Sequence, residues 1–232
     1  MSRQQRSEWK FLCSDGQLEM IRARLDGILA YDTHADSDGS YRVHSLYFDD
    51  YRDSCAAGNE SGDGIRYKYR VRYYGNDTGS LFFERKEKRY GFGNKVSCAI
   101  TGDVYQSLLN GDVCSLFWQT EESVLKKYCA LSMSRWFTPK AIIDYERTAF
   151  VEPVTHIRIT LDRNITAACD FRSFLGGSYL QIPVTKMHQN ILEVKFDDFL
   201  PNWIRKILES LNIQQTTYSK YYLGRKHLEG LI

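Results

Sequence analysis

The 232-residue sequence lacks most of the features that would assign it to a class at once. It has four prolines and no Pro-rich hinge or low-complexity linker, which favours a single domain over residues 1–232. Its six cysteines form no C-x-x-C pair and no Cys/His cluster with zinc spacing, which argues against a zinc site. No apolar run approaches the ~18 residues that span a bilayer, and the start lacks the apolar stretch of a signal peptide. We therefore expect a cytoplasmic protein with reduced thiols.

Charge of one sign is also lacking overall, since the formal net charge is only +2. Nucleic-acid binding driven by bulk positive charge is therefore not indicated. The sequence also has no Ser/His/Asp or Cys/His constellation that would indicate a nucleophilic enzyme. Any strongly basic field must come from how the charges are arranged along the chain.

Aromatic residues are abundant, and sixteen tyrosines with twelve phenylalanines favour strands. Alternating patterns predict strands at 41–48, 65–74, 81–90, 95–100, 139–150, 155–163 and 190–197. Helical spacing predicts helices at 15–30, 102–110, 121–131, 200–211 and 216–230, and 51–63 has the composition of a loop. This pattern predicts an α+β protein with an antiparallel barrel or strongly curved sheet, and with helices inserted and at the C-terminus.

The predicted strand 65–74 carries an unusual set of charges. Because alternate residues of a strand share a face, Arg66, Lys68, Arg70 and Arg72 point the same way. The solvated face of an ordinary sheet mixes charges of both signs, since like charges side by side repel. We therefore expect an anion at this face, although a plain solvated polar face is the simpler alternative for any one strand.

The chemistry of these side chains suits phosphates, because Arg binds them through two donors and Lys as a point charge. A nucleoside triphosphate or inorganic polyphosphate is the predicted ligand. Single-stranded nucleic acid is a competing ligand, but the interleaved tyrosines alternate to the opposite face and cannot stack on bases held by the arginines. Glu84 and Glu193 recur as Glu-x-Lys, and a carboxylate among cations would suit a divalent metal beside phosphates. Arg158 has an alternative structural role, in an ion pair with Asp162.

Eight stretches carry a resemblance to a known family. They are EWKF at 8–11, SLYFDD at 45–50, YRVRYYG at 69–75, FFERKEK at 82–88, IDYERTAF at 143–150, IRITLDRNI at 157–165, LEVKF at 192–196 and YSKYYLG at 218–224. In this order the sequence resembles the catalytic domain of the vacuolar transporter chaperone (VTC) family, within the triphosphate tunnel metalloenzyme superfamily.

The resemblance implies an antiparallel β tunnel barrel that binds a triphosphate, and synthesis of inorganic polyphosphate from ATP with Mn²⁺ or Mg²⁺. The implied catalytic residues are Lys10, Arg70, Arg72, Lys86, Arg147, Arg158, Lys195 and Lys220. Further phosphate contacts fall on Lys95, Tyr145 and Ser219. Glu193 is the implied metal ligand.

The sequence departs from the superfamily at Arg6, which replaces the first Glu of Glu-x-Glu-x-Lys, and in the spacing between Glu84-Arg85-Lys86 and Lys95. The eukaryotic complexes also carry a sensor domain and membrane helices; we expect neither in this chain, and a separate membrane partner is possible. We expect a phosphotransferase that moves the γ-phosphate of ATP to pyrophosphate or polyphosphate. Tripolyphosphate hydrolysis, polyphosphate binding without catalysis and, less favoured, an RNA-binding barrel stay open as alternatives.

Overall fold

The structure, a computed structural model, describes residues 7–61, 64–90, 92–197 and 199–230. Within these ranges the strands are β1 (Ser7–Ser14), β2 (Ala30–Tyr31), β3 (Ser40–Asp49), β4 (Ile65–Tyr74), β5 (Leu81–Arg89), β6 (Phe92–Ile100), β7 (Thr138–Glu152), β8 (Ile157–Ala168), β9 (Ile182–Pro183), β10 (Gln189–Phe196) and β11 (Gln214–Gln215). The helices are α1 (Asp15–Leu25), α2 (Ser54–Glu60), α3 (Gly102–Asn110), α4 (Val113–Gln119), α5 (Ser123–Arg135), α6 (Asn202–Glu209) and α7 (Lys220–Leu228), with a 3₁₀ helix at Phe171–Gly176.

The strands pair in the order β11-β1-β10-β8-β7-β3-β4-β5-β6, while β2 pairs with β7 and β9 with β8. The pairs along β1–β10, β10–β8, β3–β4, β4–β5 and β5–β6 are antiparallel. The predicted α+β class with an antiparallel sheet is therefore confirmed. In the part of the chain that the structure describes, every helix is too short or too polar to cross a lipid bilayer.

Local predictions hold best where the alternation is strongest. β4 has the predicted bounds, whereas the helix predicted over 15–30 ends at Leu25, because Asp26 is extended and Gly27 has a φ of 75°. The predicted loop 51–63 contains α2, whose first amides donate to the buried Asp49 carboxylate. That contact depends on tertiary structure, so local composition could not predict it. Arg6 lies outside the described residues.

Contacts divide the chain into two compact units, and the single domain over 1–232 stays a prediction. Unit 1 contains the described residues of Met1–Arg42, Tyr145–Ile165 and Thr185–Tyr218, and unit 2 those of Val43–Asp144, Thr166–Val184 and Ser219–Ile232. The predicted site residues are divided between the units.

Unit 1 has its core on one face of its strands. Alternate residues Leu192, Val194 and Phe196 of β10 are buried in an apolar cluster that includes residues of α1 and α6. The intervening residues Glu193 and Lys195 therefore lie on the opposite face. This is the alternation that the sequence predicts.

Unit 2 buries an aromatic core on one face of β4 and β5. Tyr69 and Phe83 stack with ring centroids 6.0 Å apart, and both pack edge-on against Tyr128 of α5 at 5.1 Å. Phe48 and Phe137 complete the cluster. The tyrosines that interleave with the cations of β4 thus serve the core, and the cations are left on the other face.

Candidate functional site

Eight residues on three adjacent strands of unit 2 form a surface that we call the basic face. They are Arg66, Lys68, Arg70 and Arg72 of β4, Glu84, Lys86 and Lys88 of β5, and Lys95 of β6. The antiparallel register pairs Arg70 with Glu84, Lys68 with Lys86, and Lys86 with Lys95. Because directly paired residues share a face, seven cations and one carboxylate lie together.

Glu84 is the buried carboxylate of the basic face and holds two of its cations. Arg70 Nε donates to Glu84 Oε2 at 2.7 Å, and Lys95 Nζ donates to Glu84 Oε1 at 2.7 Å. Burial alone would raise the pKa of Glu84, but Arg70, Arg72 and Lys95 hold that pKa well below its usual value. Glu84 is therefore ionised at neutral pH and committed to ion pairs.

Two more cations of the basic face are fixed by hydroxyl groups. Arg72 Nε donates to Ser45 Oγ at 2.9 Å, and Ser45 on β3 is fully buried. Lys68 Nζ donates to Ser219 Oγ at 2.6 Å. A hydroxyl orients a cation without neutralising it, so these contacts keep the positive charge of the face.

The predicted residues Ser219 and Lys220 lie at the start of α7. Ser219 is the N-cap, and its Oγ accepts from the backbone N–H of Tyr222 at 3.2 Å. Tyr221, two residues after Ser219, is buried, and its hydroxyl donates to Asp49 Oδ2 at 2.7 Å. Helix α7 is thereby tied to β3 and β4, and Lys220 is its first residue.

Seven charged residues of unit 1 form a second surface, which we call the mixed face. They are Glu8, Lys10, Arg147, Arg158, Asp162, Glu193 and Lys195. Lys10 Nζ lies 3.3 Å from Glu8 and 3.6 Å from Glu193, and Lys195 also pairs with Glu193. Burial would lower the pKa of Lys10, but Glu193 and Glu8 hold it above its ordinary value. Lys10 is therefore a cation between two carboxylates.

Both arginines of the mixed face have carboxylate partners. Arg147 donates two hydrogen bonds to Asp162, at 2.6 and 2.8 Å, and its guanidinium lies 5.1 Å from the ring centroid of Tyr145. Arg158 lies 2.5 Å from Asp32 and donates to Tyr41 at 3.3 Å. The pair with Asp162 that the sequence suggested for Arg158 is thus made by Arg147, while Arg158 pairs with Asp32.

The carboxylates of the mixed face fit a hard divalent cation that is also bound by phosphate. Mg²⁺ is usually held by one or two protein carboxylates with substrate phosphates and water, and Mn²⁺ also takes carboxylate oxygens. Glu193 and Glu8, which flank Lys10, can supply such oxygens. In the described ranges no group of three or more His, Cys, Asp or Glu side chains is arranged to hold a metal by itself.

The structure brings the sequence-predicted residues into two sets. Arg70, Arg72, Lys86 and Lys95 lie on the basic face, and Lys10, Arg147, Arg158, Glu193 and Lys195 lie on the mixed face. The sequence did not predict Tyr47, Ser45 or Asp162 as part of either set. Tyr47 and Ser45 pair in register with Arg70 and Arg72, and this pairing depends on β3 lying beside β4.

Comparison with known protein families gives one decisive match. The VTC domain family matches residues 5–229, which is nearly the whole chain. The chain belongs to the VTC domain family. The family predicted from the sequence motifs is therefore confirmed. The comparison with curated proteins found no match.

Solved structures show the same fold. A protein from Hippeastrum, assigned as an adenylyl cyclase and described as having a dominant triphosphatase activity, has a TM-score of 0.58 at 12% identity. That match covers 97% of this chain and 96% of the other. A protein from Bacillus halodurans, assigned as an adenylate cyclase, has a TM-score of 0.56 at 14% identity, with 94% and 96% coverage. At these identities the likeness establishes the fold, so the predicted tunnel-type fold of the VTC chain is confirmed.

Proposed function

We propose that this VTC domain is a metal-dependent phosphotransferase that moves the γ-phosphate of ATP onto a growing inorganic polyphosphate chain. The basic face carries this proposal. Its seven cations have one carboxylate among them, Glu84, and that carboxylate is committed to Arg70 and Lys95. A polyanion with several phosphates would be attracted by the excess of cations over carboxylates among these eight residues.

Holding like charges together on one face of the sheet costs free energy. Cations on neighbouring strands repel, and the repulsion grows where side chains are partly removed from water. Arg72 is buried and Arg70 is mostly buried, yet Arg72 is anchored by a neutral serine hydroxyl. A bound polyphosphate would turn the repulsion into attraction. Arg is suited to bidentate phosphate contacts, and Lys to point-charge contacts.

The chemistry requires no nucleophilic side chain. A terminal phosphate oxygen of the acceptor forms a new bond to the γ-phosphorus of ATP, while the bond from that phosphorus to the β–γ bridging oxygen breaks. The electron pair stays with ADP. Catalysis of this type comes mostly from positioning and charge stabilisation, which Arg and Lys side chains supply.

On the mixed face, Glu193 with Glu8 would hold a divalent metal, which would neutralise phosphate charge and polarise a phosphoryl oxygen. Lys10 lies between these carboxylates and its raised pKa keeps it charged at neutral pH. Lys10 can therefore donate to a phosphate oxygen, but it cannot act as a base. Arg147 is held by Asp162 and Tyr145, which orients its guanidinium for the same task.

Hydrolysis of tripolyphosphate is the second candidate. The relative from Hippeastrum with the same fold is described by its dominant triphosphatase activity. The residues that bind the donor would be the same, and only the acceptor would change from phosphate to water. The two activities therefore differ in product rather than in the basic face.

One assay separates these activities. The purified protein is incubated with ATP and Mn²⁺, with and without pyrophosphate as primer, and the products are run on a polyphosphate gel. Long chains support the polymerase, short phosphates alone support the hydrolase, and binding without turnover leaves a polyphosphate-binding module. Glu193→Gln should abolish turnover and keep binding, while Glu19→Gln, at an exposed ion pair of unit 1, should leave both unchanged.

A further inference from the structure

Tyr47 is a buried tyrosine beside the basic face, and neither the family resemblance nor the proposed chemistry assigns it a role. It lies on β3 directly opposite Arg70 in the antiparallel register, and it is 6% exposed. Its ring stacks on Tyr221 of α7, with centroids 4.8 Å apart and planes at 24°. The hydroxyl of Tyr221 is anchored on Asp49. The ring of Tyr47 is therefore held in place from β3 and from α7.

The hydroxyl of Tyr47 contacts the guanidinium of Arg70. Arg70 Nη1 donates to Tyr47 Oη at 2.9 Å, while Nε and Nη2 lie 2.7 and 2.5 Å from Glu84 Oε2. Two different groups on two neighbouring strands thus hold the guanidinium. Because a planar guanidinium with fixed donors gives up little freedom when a phosphate binds, this arrangement favours an oriented phosphate contact.

The charges around Tyr47 favour loss of its proton. Lys68, Arg70 and Arg72 face it from β4, and Glu84 lies behind Arg70 on β5. Tyr221 faces it from α7 and connects it to Asp49 of its own strand. Burial alone would raise the pKa of Tyr47, but the three cations lower it to about 7. The charge of this hydroxyl therefore changes near neutral pH.

We propose that Tyr47 is a positioning residue for Arg70 and that the proton on its hydroxyl regulates how strongly the basic face binds phosphate. This inference rests on the proposed function and describes how protonation would regulate the same site. With the proton present, Tyr47 orients Arg70 and adds no negative charge to the basic face. Without it, the phenolate offsets one positive charge next to the phosphate contact, and binding weakens.

The direction of the effect follows from linkage. A bound polyanion disfavours the phenolate, so tripolyphosphate should bind more weakly as the pH rises through about 7 and should itself raise the pKa of Tyr47. Tripolyphosphate also gains negative charge over this range, which acts in the opposite direction. For this reason the measured quantity is the ratio of affinities of the wild-type protein and Tyr47→Phe, in which the titration of the ligand cancels.

The binding experiment measures tripolyphosphate affinity by calorimetry at about pH 6 and about pH 8. Relative to Tyr47→Phe, the wild-type affinity should fall roughly tenfold between these two values. Tyr90→Phe, at an exposed tyrosine of the same unit, is the matched control and should follow the wild type. A constant ratio between the wild type and Tyr47→Phe would overturn the inference while leaving the proposed function intact. No binding of tripolyphosphate at any pH would overturn the proposed function as well.

A second measurement needs no variant that might misfold. The near-ultraviolet difference absorbance of tyrosinate, followed in the wild-type protein, should show one tyrosine that titrates near neutral pH. Saturating tripolyphosphate should shift that transition to higher pH, whereas sodium chloride at matched ionic strength should shift it less. The absence of a transition near neutrality, or a transition that tripolyphosphate does not move, would overturn the inference.

Discussion

The mixed face and the basic face are both charged sides of antiparallel strands, yet they balance their charges differently. On the mixed face, Lys10 lies between Glu8 and Glu193, and Arg147 is paired with Asp162. On the basic face, Glu84 is one carboxylate among seven cations. Balanced charges on one face contribute to stability, whereas an excess of one sign attracts a ligand of the opposite sign. Removing a carboxylate should therefore have different results on the two faces.

The largest effect is expected at Asp162 on the mixed face. Asp162 is fully buried and holds Arg147 through two hydrogen bonds, so Asp162→Ala leaves a buried guanidinium without its partner. Breaking such a pair costs about 3–5 kcal/mol of the free energy of unfolding. Urea denaturation would measure this loss.

The control for Asp162 is Glu19→Gln in the same unit. Glu19 pairs with Arg163 but is about half exposed. Exposed pairs contribute about 0–1 kcal/mol, so this variant should be close to wild type. Equal losses in the two variants would show that the buried pair of Arg147 and Asp162 contributes no more to stability than an exposed pair does.

The next effect concerns the ligand. Tripolyphosphate at a hundredfold excess over its dissociation constant should stabilise the protein by about 2.7 kcal/mol. The stabilisation should be strongly reduced in Arg72→Gln, whose guanidinium is buried on the basic face, and retained in Arg89→Gln, which is exposed on the same sheet. Thermal unfolding with and without the ligand measures it.

Lys195→Gln on the mixed face sharpens this result, because Lys195 already has Glu193 as its partner. It should reduce the stabilisation by tripolyphosphate less than Arg72→Gln does. Equal reductions would mean that the charge balance of a face does not decide how much its cations contribute to ligand binding.

Replacing Glu84 should have a smaller effect, which lowers the stability of the protein but raises its affinity for tripolyphosphate. Glu84→Gln removes the carboxylate that holds Arg70 and Lys95, which should cost about 1–3 kcal/mol of stability. The same change adds one net positive charge to the basic face, so tripolyphosphate affinity should rise about fivefold. Glu87→Gln on the same strand is the matched control, since Glu87 also pairs with two cations, Arg85 and Arg89, but lies on the opposite face. An affinity gain in both variants would point to overall charge rather than to the basic face.

The depressed pKa of Glu84 also predicts a dependence on pH. A carboxyl group with a lower pKa in the folded state stabilises the fold above its unfolded pKa of about 4.3. That contribution is lost as the pH falls through the folded value. The stability difference between the wild type and Glu84→Gln should therefore be full at neutral pH and shrink in acid below about pH 4. A difference that stays constant in acid would contradict the ion pair.

The sequence predicted the fold and the two faces of β4, for a physical reason. Strand alternation is a local pattern, so it assigned Arg70 and Arg72 to one face and Tyr69 to the other, and the buried aromatic core bears this out. The partner of a charge is not local. Arg147 finds Asp162 on the neighbouring strand, and Arg158 finds Asp32 about 126 positions away along the chain. No spacing rule could have given those pairs.

Tyr47 and Ser45 were missed for a related reason. Their register with Arg70 and Arg72 depends on which strand lies beside β4, and that is a property of topology. The family motifs included both residues within SLYFDD, but nothing in the motif distinguishes a residue of the core from one that orients a cation. Whether each predicted site residue contacts phosphate stays a prediction, which the variants above test.

The smallest effect is expected at Ser219, where stability and binding can be separated. Its hydroxyl caps α7 and accepts from Lys68, so Ser219→Ala should cost about 1 kcal/mol. Ser219→Asp and Ser219→Asn should both keep the cap, because Asp and Asn are good N-caps. The Asp variant, however, places a carboxylate beside Lys68 and should weaken tripolyphosphate binding several-fold relative to Asn. If the two bound equally well, Lys68 would be outside the reach of the ligand, and the basic face would be narrower than its register indicates.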